Sequence, residues 1–193
     1  SGYHFNFPGF NNILFPDSPF FNVYSGSYRT VNIGFSKDES IRRTGASGGI
    51  LSSILIWLLE NKYIQGAVVT RMNPKEPWMT EPFIAVTKDE ILEAAQSKYI
   101  ITSVNEILPE IEKFEGALAY IGLPGQVQSI RLLQAANNPI VRNIKYIFGP
   151  FYGNTLHFSS IKSFLRSYGE SDFTKIRQLN FRYGEWPGNM RIE

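Results

Sequence analysis

The 193-residue chain contains no cysteine. Disulfides, thiol catalysis and zinc or iron–sulfur clusters held by cysteine are therefore excluded within it. Histidine is almost as scarce, since the chain has two, His4 and His157, far apart in sequence. No metal-ligand spacing such as HExxH or HxH occurs. The sequence therefore predicts no metal site.

The chain also lacks a strong charge of either sign and a long apolar run. Its formal net charge is +2, which gives no indication of a nucleic-acid partner. The longest apolar stretch, residues 50–59, is interrupted by Ser52 and Ser53 and is too short to cross a bilayer. The first residues lack the basic start and apolar core of a signal peptide. We therefore expect a cytoplasmic protein with no membrane span.

Aromatic residues, by contrast, are abundant near the N-terminus. Residues 1–30 alternate phenylalanine with Gly, Pro and Asn, which predicts an extended aromatic arm. So many exposed aromatics are unfavourable in water, and we expect the arm to pack against the domain or against a segment or partner outside this chain. One hypothesis is a homodimer or hetero-complex that depends on Phe20 and Phe21. The phenylalanines of the arm are Phe5, Phe7, Phe10, Phe15, Phe20 and Phe21.

Residues 31–193 have the pattern of one α/β domain. Short apolar runs alternate with helical periodicity, which predicts a mixed, largely parallel sheet flanked by helices. Two capping boxes, Thr87–Glu90 and Ser103–Glu106, mark helix starts. Residues 175–181 alternate weakly, as an edge or antiparallel strand does. The predicted strands are 28–35, 66–70, 83–86, 116–122 and 144–148, and the predicted helices are 50–60, 87–97, 103–114, 127–136 and 159–168.

The chain is organised around a glycine-rich corner, Arg42–Gly49, and the apolar helix that follows it, Ile50–Glu60. Thr44 and Ser47 are both suitable N-caps for that helix. Glycines let a ligand approach the backbone, and the free N–H groups of a helix N-terminus bind anions. Two interpretations stay open, a phosphate site and a glycine-rich entry to a core helix.

Three glycine-containing turns, 45–49, 122–126 and 149–154, each stand where a strand or loop gives way to a helix. In open α/β sheets, ligands bind at the turns beyond the carboxyl ends of the strands. We therefore expect these turns to meet in one site for a large, phosphorylated, planar cofactor, although no GxGxxG or P-loop fingerprint is present. The side chains expected to join it are Lys98 as a cation and Tyr99, Phe151 and Tyr152 as stacking rings.

Other polar candidates have plainer explanations. His157 fits a helix cap or a core histidine better than a catalytic base, since no convincing triad accompanies it. The paired Glu110 and Glu112 are typical of a solvated helix face. Four cations could meet anionic groups of a substrate or cofactor, although surface ion pairs are the default interpretation for each: Arg71, Lys98, Arg131 and Arg142.

Four motifs follow one another along the chain: Arg43–Gly49 before the apolar helix, the run Lys88–Tyr99, the turn Gly122–Gln128 and the loop Gly149–Gly153. Their order and rough spacing are similar to those of the beta subunit family of coenzyme F420 hydrogenases and dehydrogenases. The resemblance covers about residues 40–190, which is most of the chain.

This resemblance implies a flavoprotein, an oxidoreductase that binds FAD and transfers electrons or hydride between the flavin and coenzyme F420 or a related two-electron substrate. It also implies an electron-transfer partner, either an iron–sulfur subunit or a domain outside this chain. It assigns no catalytic residue. The cofactor-binding residues that it implies are Arg43, Gly45, Ser47, Gly48, Gly49, Lys98, Tyr99, Gly122, Pro124, Gly125, Gln126 and Tyr152.

The chain departs from the family at Gly125 and Tyr152, where relatives carry cysteine, and it lacks their cluster-binding cysteines altogether. Three explanations are open. The chain is a piece of a longer polypeptide, it belongs to a branch that works with flavin alone, or it binds no flavin. The last leads to an alternative function, a non-catalytic or transferase-like member that binds a nucleotide-linked ligand.

Overall fold

The computed structural model describes residues 7–17, 20–22, 24, 26–184 and 188–193. The chain divides into two compact units, Ser1–Gly34 and Phe35–Glu193. His4 and Phe5 lie outside the described residues, as do residues 185–187. The division into an arm, 1–30, and a flavin-binding-like domain, 31–193, stays a prediction.

The first unit contains a helix and a hairpin. Helix α1 (Phe7–Leu14) precedes strand β1 (Phe20–Asn22), which pairs antiparallel with β2 (Gly26–Tyr28). The Asn11 side-chain amide donates to the Ser27 hydroxyl at 2.6 Å and ties the helix to the hairpin. Part of the predicted extended arm is therefore helical.

The predicted strand 28–35 is wrong beyond its first residue. Residues 29–36 form no strand, and Val31 and Ile33 are exposed although they alternate as strand residues do. A strand is stabilised by the neighbour with which it pairs, and this alternating stretch has no pairing partner among the described residues.

The second unit is built on a four-stranded sheet with the order β4-β3-β5-β6. Strand β3 (Gly66–Met72) pairs antiparallel with β4 (Thr80–Ala85) and parallel with β5 (Leu118–Ile121), and β5 pairs parallel with β6 (Ile144–Phe148). Two of the three pairings are parallel. The predicted mixed, largely parallel α/β sheet is therefore confirmed.

Helices cover both faces of this sheet. On β3, Ala67 and Val69 join one core cluster with α3 (Ile50–Glu60) and α4 (Lys88–Glu93), whereas Val68 joins the cluster on the opposite face. The second cluster includes residues of α5 (Leu108–Lys113) and α6 (Pro124–Ala135). A strand buried on both faces reads as a continuous apolar run, which is why these strands could be recognised from the sequence.

A third core cluster lies around the C-terminal elements. It joins α7 (Phe158–Ser167) to strand β7 (Leu179–Tyr183), which pairs antiparallel with β8 (Asn189–Ile192) in a separate two-stranded sheet. Met72 at the end of β3 packs against this cluster. The antiparallel strand predicted near the C-terminus is confirmed, with its start moved to Leu179.

Helices α4 and α5 differ from their predicted bounds. The Thr87–Glu90 capping box is confirmed, but α4 ends at Glu93 rather than near residue 97, and Gln96 adopts a left-handed φ of 72°. The Ser103–Glu106 capping box is wrong, because Ser103 makes no side-chain cap and the segment is a 3₁₀ turn that leads into α5. Pro109, in the first turn of α5, has no backbone N–H and so cannot donate the hydrogen bond that would continue a helix from the 3₁₀ turn.

Tyr120 is the largest fully buried side chain of β5, and its hydroxyl donates to the Asn105 side-chain oxygen. Burial raises the pKa of this hydroxyl. A Cβ on Gly122 would stand 2.6 Å from the Tyr120 ring, so the glycine makes room for the tyrosine.

We expect Tyr120→Phe to lower the free energy of unfolding by about 1–2 kcal/mol, because the Asn105 oxygen loses its donor in the protein interior. Tyr146→Phe, on the neighbouring strand β6 and more exposed, is the matched control. Urea denaturation of both variants measures the difference. Equal losses of unfolding free energy in the two variants would show that the buried hydrogen bond of Tyr120 adds no stability of its own.

Candidate functional site

The glycine-rich corner joins two helices. Helix α2 (Glu39–Thr44) is capped at its N-terminus by Asp38. The Asp38 carboxylate accepts hydrogen bonds from the N–H groups of Ser40 at 2.9 Å and Ile41 at 3.2 Å. A 3₁₀ turn, Ser47–Gly49, then leads directly into α3. Helix α3 is followed by the short connection 61–65 and then by strand β3.

The predicted N-caps of α3 are wrong. Thr44 is the last residue of α2, and its hydroxyl donates to the Ser40 carbonyl at 2.8 Å. Ser47 lies in the 3₁₀ turn, and the N-cap of α3 is Gly49, which makes no side-chain cap. Among the described residues, no N-cap side chain therefore accepts from the N–H groups of the first turn of α3.

The glycines of the corner are required by the packing of the turn itself. A Cβ on Gly49, at a φ of +70°, would stand 2.6 Å from the Ile41 carbonyl oxygen, and a Cβ on Gly45 would stand 2.6 Å from the Gly49 Cα. Gly48 has a φ of 72°. The core-helix interpretation therefore explains the glycines, while the uncapped start of α3 can still attract an anion.

A cavity of about 550 Å³ adjoins this corner through Thr44. Its wall is formed by the β3–β4 loop, by the end of α4 with the residues after it, and by β7 with the residues before it. The volume falls within the range of about 300–1,000 Å³ that is typical of cofactor sites. Apolar and polar groups share the lining, which includes Met72, Asn73, Pro74, Pro77, Leu92, Glu93, Lys98, Arg177, Gln178, Asn180 and Phe181.

Lys98 is the predicted site residue that lines this cavity. Its ammonium group is largely buried and donates to the carbonyls of Ala94 at 2.5 Å, Ala95 at 2.8 Å and Gln96 at 3.3 Å. It therefore caps the C-terminal end of α4, where carbonyls lack helical partners. Burial lowers the pKa of Lys98 to about 8, and the nearby Glu93 carboxylate opposes this shift.

Tyr99 points into the third core cluster and does not line the cavity. Its hydroxyl accepts a hydrogen bond from Nε of Arg182 at 2.7 Å, and its ring meets Phe181 edge to face at 6.0 Å between centroids. Its backbone carbonyl accepts from the Leu156 N–H at 3.1 Å. Tyr99 thereby fixes β7, which carries one wall of the cavity.

The predicted turn 122–126 is instead the start of α6, with Pro124 as its first residue. The Gln126 side chain accepts from the Leu123 N–H at 2.8 Å and donates to the Thr102 carbonyl at 2.9 Å, so it has a structural role. Gly125 is exposed and a Cβ there would meet nothing within 4 Å.

The structure brings two of the three predicted glycine turns together. The Gly122 N–H donates to the Phe148 carbonyl at 3.2 Å, beside the loop 149–154. In that loop Phe151 and Tyr152 are exposed. The glycine-rich corner reaches the cavity through Thr44 alone among its described residues. Of the implied cofactor-binding residues, Lys98 lines the cavity, and the others are absent from its lining: Arg43, Gly45, Ser47, Gly48, Gly49, Tyr99, Gly122, Pro124, Gly125, Gln126 and Tyr152.

The remaining candidates mostly have structural partners. Arg43 pairs with Glu39 at 2.6 Å on the surface. Arg71 pairs with Glu81 at 2.9 Å and with Glu93 at 3.4 Å. The predicted helix-cap interpretation of His157 is confirmed, because its ring accepts from the Ser159 N–H at the start of α7. The side chain of Arg131 donates to that of Gln134 at 3.0 Å, whereas Glu110, Glu112 and Arg142 are exposed.

Sequence reasoning missed the β7 side of the cavity. Arg177, Gln178 and Asn180 line it, yet they stand far along the chain from Lys98 and belong to no motif. Only tertiary packing of the third core cluster brings them there. Across the part of the chain that the structure describes, no cluster of three or more metal-ligating side chains occurs. Nor does a helix in that part have the length and apolar character needed to cross a membrane.

The fold matches a solved chain in the F420-reducing NiFe hydrogenase complex from Methanosarcina barkeri, with a TM-score of 0.65. The two are 22% identical, and the match covers 82% of this chain and 57% of that one. At this identity the match shows that the two chains share a fold.

Curated relatives are similar in sequence as well. The coenzyme F420 hydrogenase beta subunit of Methanosarcina barkeri is 25% identical over 84% of this chain and 57% of its own length. The beta subunit of Methanothermobacter thermautotrophicus is 28% identical over 72% of this chain and 51% of its own length. The coenzyme F420-dependent sulfite reductase of Methanocaldococcus jannaschii is 26% identical over 73% of this chain and 24% of its own length. The chain thus spans about half the length of the hydrogenase subunits that it matches.

Family models agree with these relatives. Residues 31–109 match the N-terminal model of the coenzyme F420 hydrogenase/dehydrogenase beta subunit, and residues 116–193 match its C-terminal model. The two models together take in most of the chain. The chain therefore belongs to the coenzyme F420 hydrogenase/dehydrogenase beta subunit family.

Proposed function

We propose that this chain is an F420-linked redox module that binds FAD and exchanges two electrons between the flavin and coenzyme F420 or a related substrate. The observation that carries the proposal is the cavity of about 550 Å³, with its mixed apolar and polar lining, beside the glycine-rich corner of a chain of this family.

The lining fits a flavin. Met72, Pro77, Leu92 and Phe181 offer apolar surface to a planar ring system, while Asn180 and its neighbours offer polar groups to the ring edge. The uncapped N-terminus of α3 suits a diphosphate, and Thr44 connects that corner to the cavity. When bound, a flavin supplies hydride chemistry that no side chain of this chain can supply.

The protein's own contribution is to hold the walls in place. Lys98 fastens the end of α4 by its bonds to three carbonyls. The Tyr99 hydroxyl and Arg182 fix β7 against the opposite wall. Apolar side chains from both walls, among them Leu92 and Phe181, would pack against a bound ring and shield it from part of the solvent.

An electron-transfer partner is part of the proposal. The chain has no cysteine to hold an iron–sulfur cluster, and its structural neighbour belongs to a hydrogenase complex. We propose that a cluster-bearing subunit or domain, outside this chain, exchanges electrons with the flavin.

We expect the purified chain to retain FAD after incubation and desalting, with an oxidised-flavin absorption band and a raised melting temperature, because a ligand that binds the native state stabilises it. FMN and riboflavin serve as ligand controls that lack the full diphosphate. A colourless chain whose melting temperature FAD does not change would contradict the proposal. A rise in melting temperature with a nucleotide-sugar but not with FAD would support the alternative function, binding of a nucleotide-linked ligand.

A further inference from the structure

Four charged side chains line the cavity, and the two acids among them have counter-ions elsewhere. Glu93 pairs with Arg71 at 3.4 Å, and Glu193 pairs with Arg191. Neither arginine belongs to the cavity lining. The negative charges of the lining are therefore compensated from outside it.

The two cations of the lining differ, because Lys98 lies near the Glu93 carboxylate whereas Arg177 has no acidic partner among the described residues. The Lys98 ammonium donates to neutral carbonyls. The guanidinium of Arg177 has no hydrogen bond or ion pair with any residue that the structure describes, and it is exposed. Arg177 is thus a cation of the lining with no ionic partner among the described residues, which leaves its guanidinium available to an anionic group of a ligand.

The backbone beneath Arg177 is held in place. Its N–H donates to the Glu193 carbonyl at 2.6 Å, and the residue before it, Ile176, is buried in the third core cluster. Because the backbone is already fixed, binding a ligand through this side chain does not carry the further entropy cost of ordering the backbone. A guanidinium offers parallel N–H donors that match a phosphate or carboxylate, which an ammonium cannot do.

We propose that Arg177 recognises a phosphate or carboxylate group of the ligand that occupies this cavity. The assignment of that group to FAD or to an anionic side chain of the F420-type substrate rests on the proposed function. The recognition of an anion does not, because it follows from the guanidinium of Arg177, which lines the cavity and has no partner among the described residues.

The test compares Arg177→Gln with Lys175→Gln. Lys175 carries the same charge two residues earlier, pairs with Asp172 on the surface and does not line the cavity. Calorimetric titration with inorganic pyrophosphate measures anion binding directly. We expect Arg177→Gln to weaken pyrophosphate binding by about tenfold or more, the loss expected for a charged hydrogen bond, and Lys175→Gln to change it by less than about twofold.

Titrations with FAD, with coenzyme F420 and with a deazaflavin riboside that lacks the anionic side chain identify the source of the anion. A loss for FAD alone assigns Arg177 to the flavin diphosphate. A loss for F420 without a loss for the riboside assigns it to the substrate's side chain. Both outcomes support the proposal.

Unchanged binding of every probe in Arg177→Gln would overturn the proposal, and so would an equal loss in Lys175→Gln. A wild-type chain that binds no anionic probe would overturn it as well. If the wild type binds pyrophosphate through Arg177 but binds neither FAD nor F420, the proposed function fails and the anion site stands. Thermal denaturation confirms that both variants are folded.

Discussion

The Gly49→Ala variant is expected to lose about 3 kcal/mol of unfolding free energy, which corresponds to a fall of about 10 °C in melting temperature. Gly49 has a φ of +70°, where a Cβ is strained, and the new methyl group would stand 2.6 Å from the Ile41 carbonyl oxygen. The obstacle is backbone, which cannot rotate away as a side chain can. The whole junction between α2 and α3 must shift to admit it.

Gly125→Ala is the matched control, because it makes the same chemical change at another implied site glycine. A Cβ at Gly125 meets nothing within 4 Å, and the residue lies in the first turn of α6. We expect this variant to be as stable as the wild type or more stable by about 0.5 kcal/mol, as alanine favours helix over glycine. Chemical denaturation of both variants measures the contrast. Equal stability of the two variants would contradict the packing account of the corner.

The Lys98→Met variant is expected to lose about 2 kcal/mol of unfolding free energy, with a fall of roughly 4–8 °C in melting temperature. Methionine can fill the space of the lysine stem, but it offers no donor to the carbonyls of Ala94, Ala95 and Gln96. The end of α4 would lose its cap. Since α4 forms one wall of the cavity, flavin retention should fall with it.

Lys88→Met is the control for Lys98→Met. Lys88 lies at the other end of the same helix and is exposed. Its substitution removes the same charge but removes no helix cap. We expect it to change stability by less than about 0.5 kcal/mol. A comparable loss in both variants would mean that charge, rather than the carbonyl bonds, sets the contribution of Lys98.

The stability that Lys98 confers should also depend on pH. Burial lowers its pKa to about 8 in the folded chain, while Glu93 opposes the shift, and an unfolded lysine titrates near about 10.4. Between these values the unfolded state binds more protons, so folding stability rises with pH. The difference in unfolding free energy between wild type and Lys98→Met should therefore increase from about pH 8 to about pH 10. A gap that narrows over this range would contradict the buried position of the ammonium.

Local signals were enough to predict much of the fold. The helix Ile50–Glu60 and the strand Ile144–Phe148 have the bounds that their apolar patterns indicate, and the Thr87 capping box starts α4. Short elements could not be predicted, because they have little hydrophobic periodicity of their own. Helix α2 has a single buried residue, Ile41, and depends on the Asp38 cap.

The candidate site could be predicted only in part, because tertiary contacts decide it. The sequence predicts Lys98 as a cation near the site, but its bonds to the α4 carbonyls depend on where that helix ends. Arg177 reaches the cavity through the packing of β7 and carries no local signal. Gly125, where the family resemblance leads one to expect cysteine, stands in open space, so packing does not account for its small size.

The proposed function requires that a flavin bound to this chain exchange electrons with coenzyme F420. Its most direct test is to mix the FAD-loaded chain with reduced F420 without oxygen and to follow both absorption bands. We expect the oxidised-flavin band to disappear as oxidised F420 forms, one for one, and faster than with free FAD at the same concentration. A bound flavin that F420 reduces no faster than free FAD would contradict it.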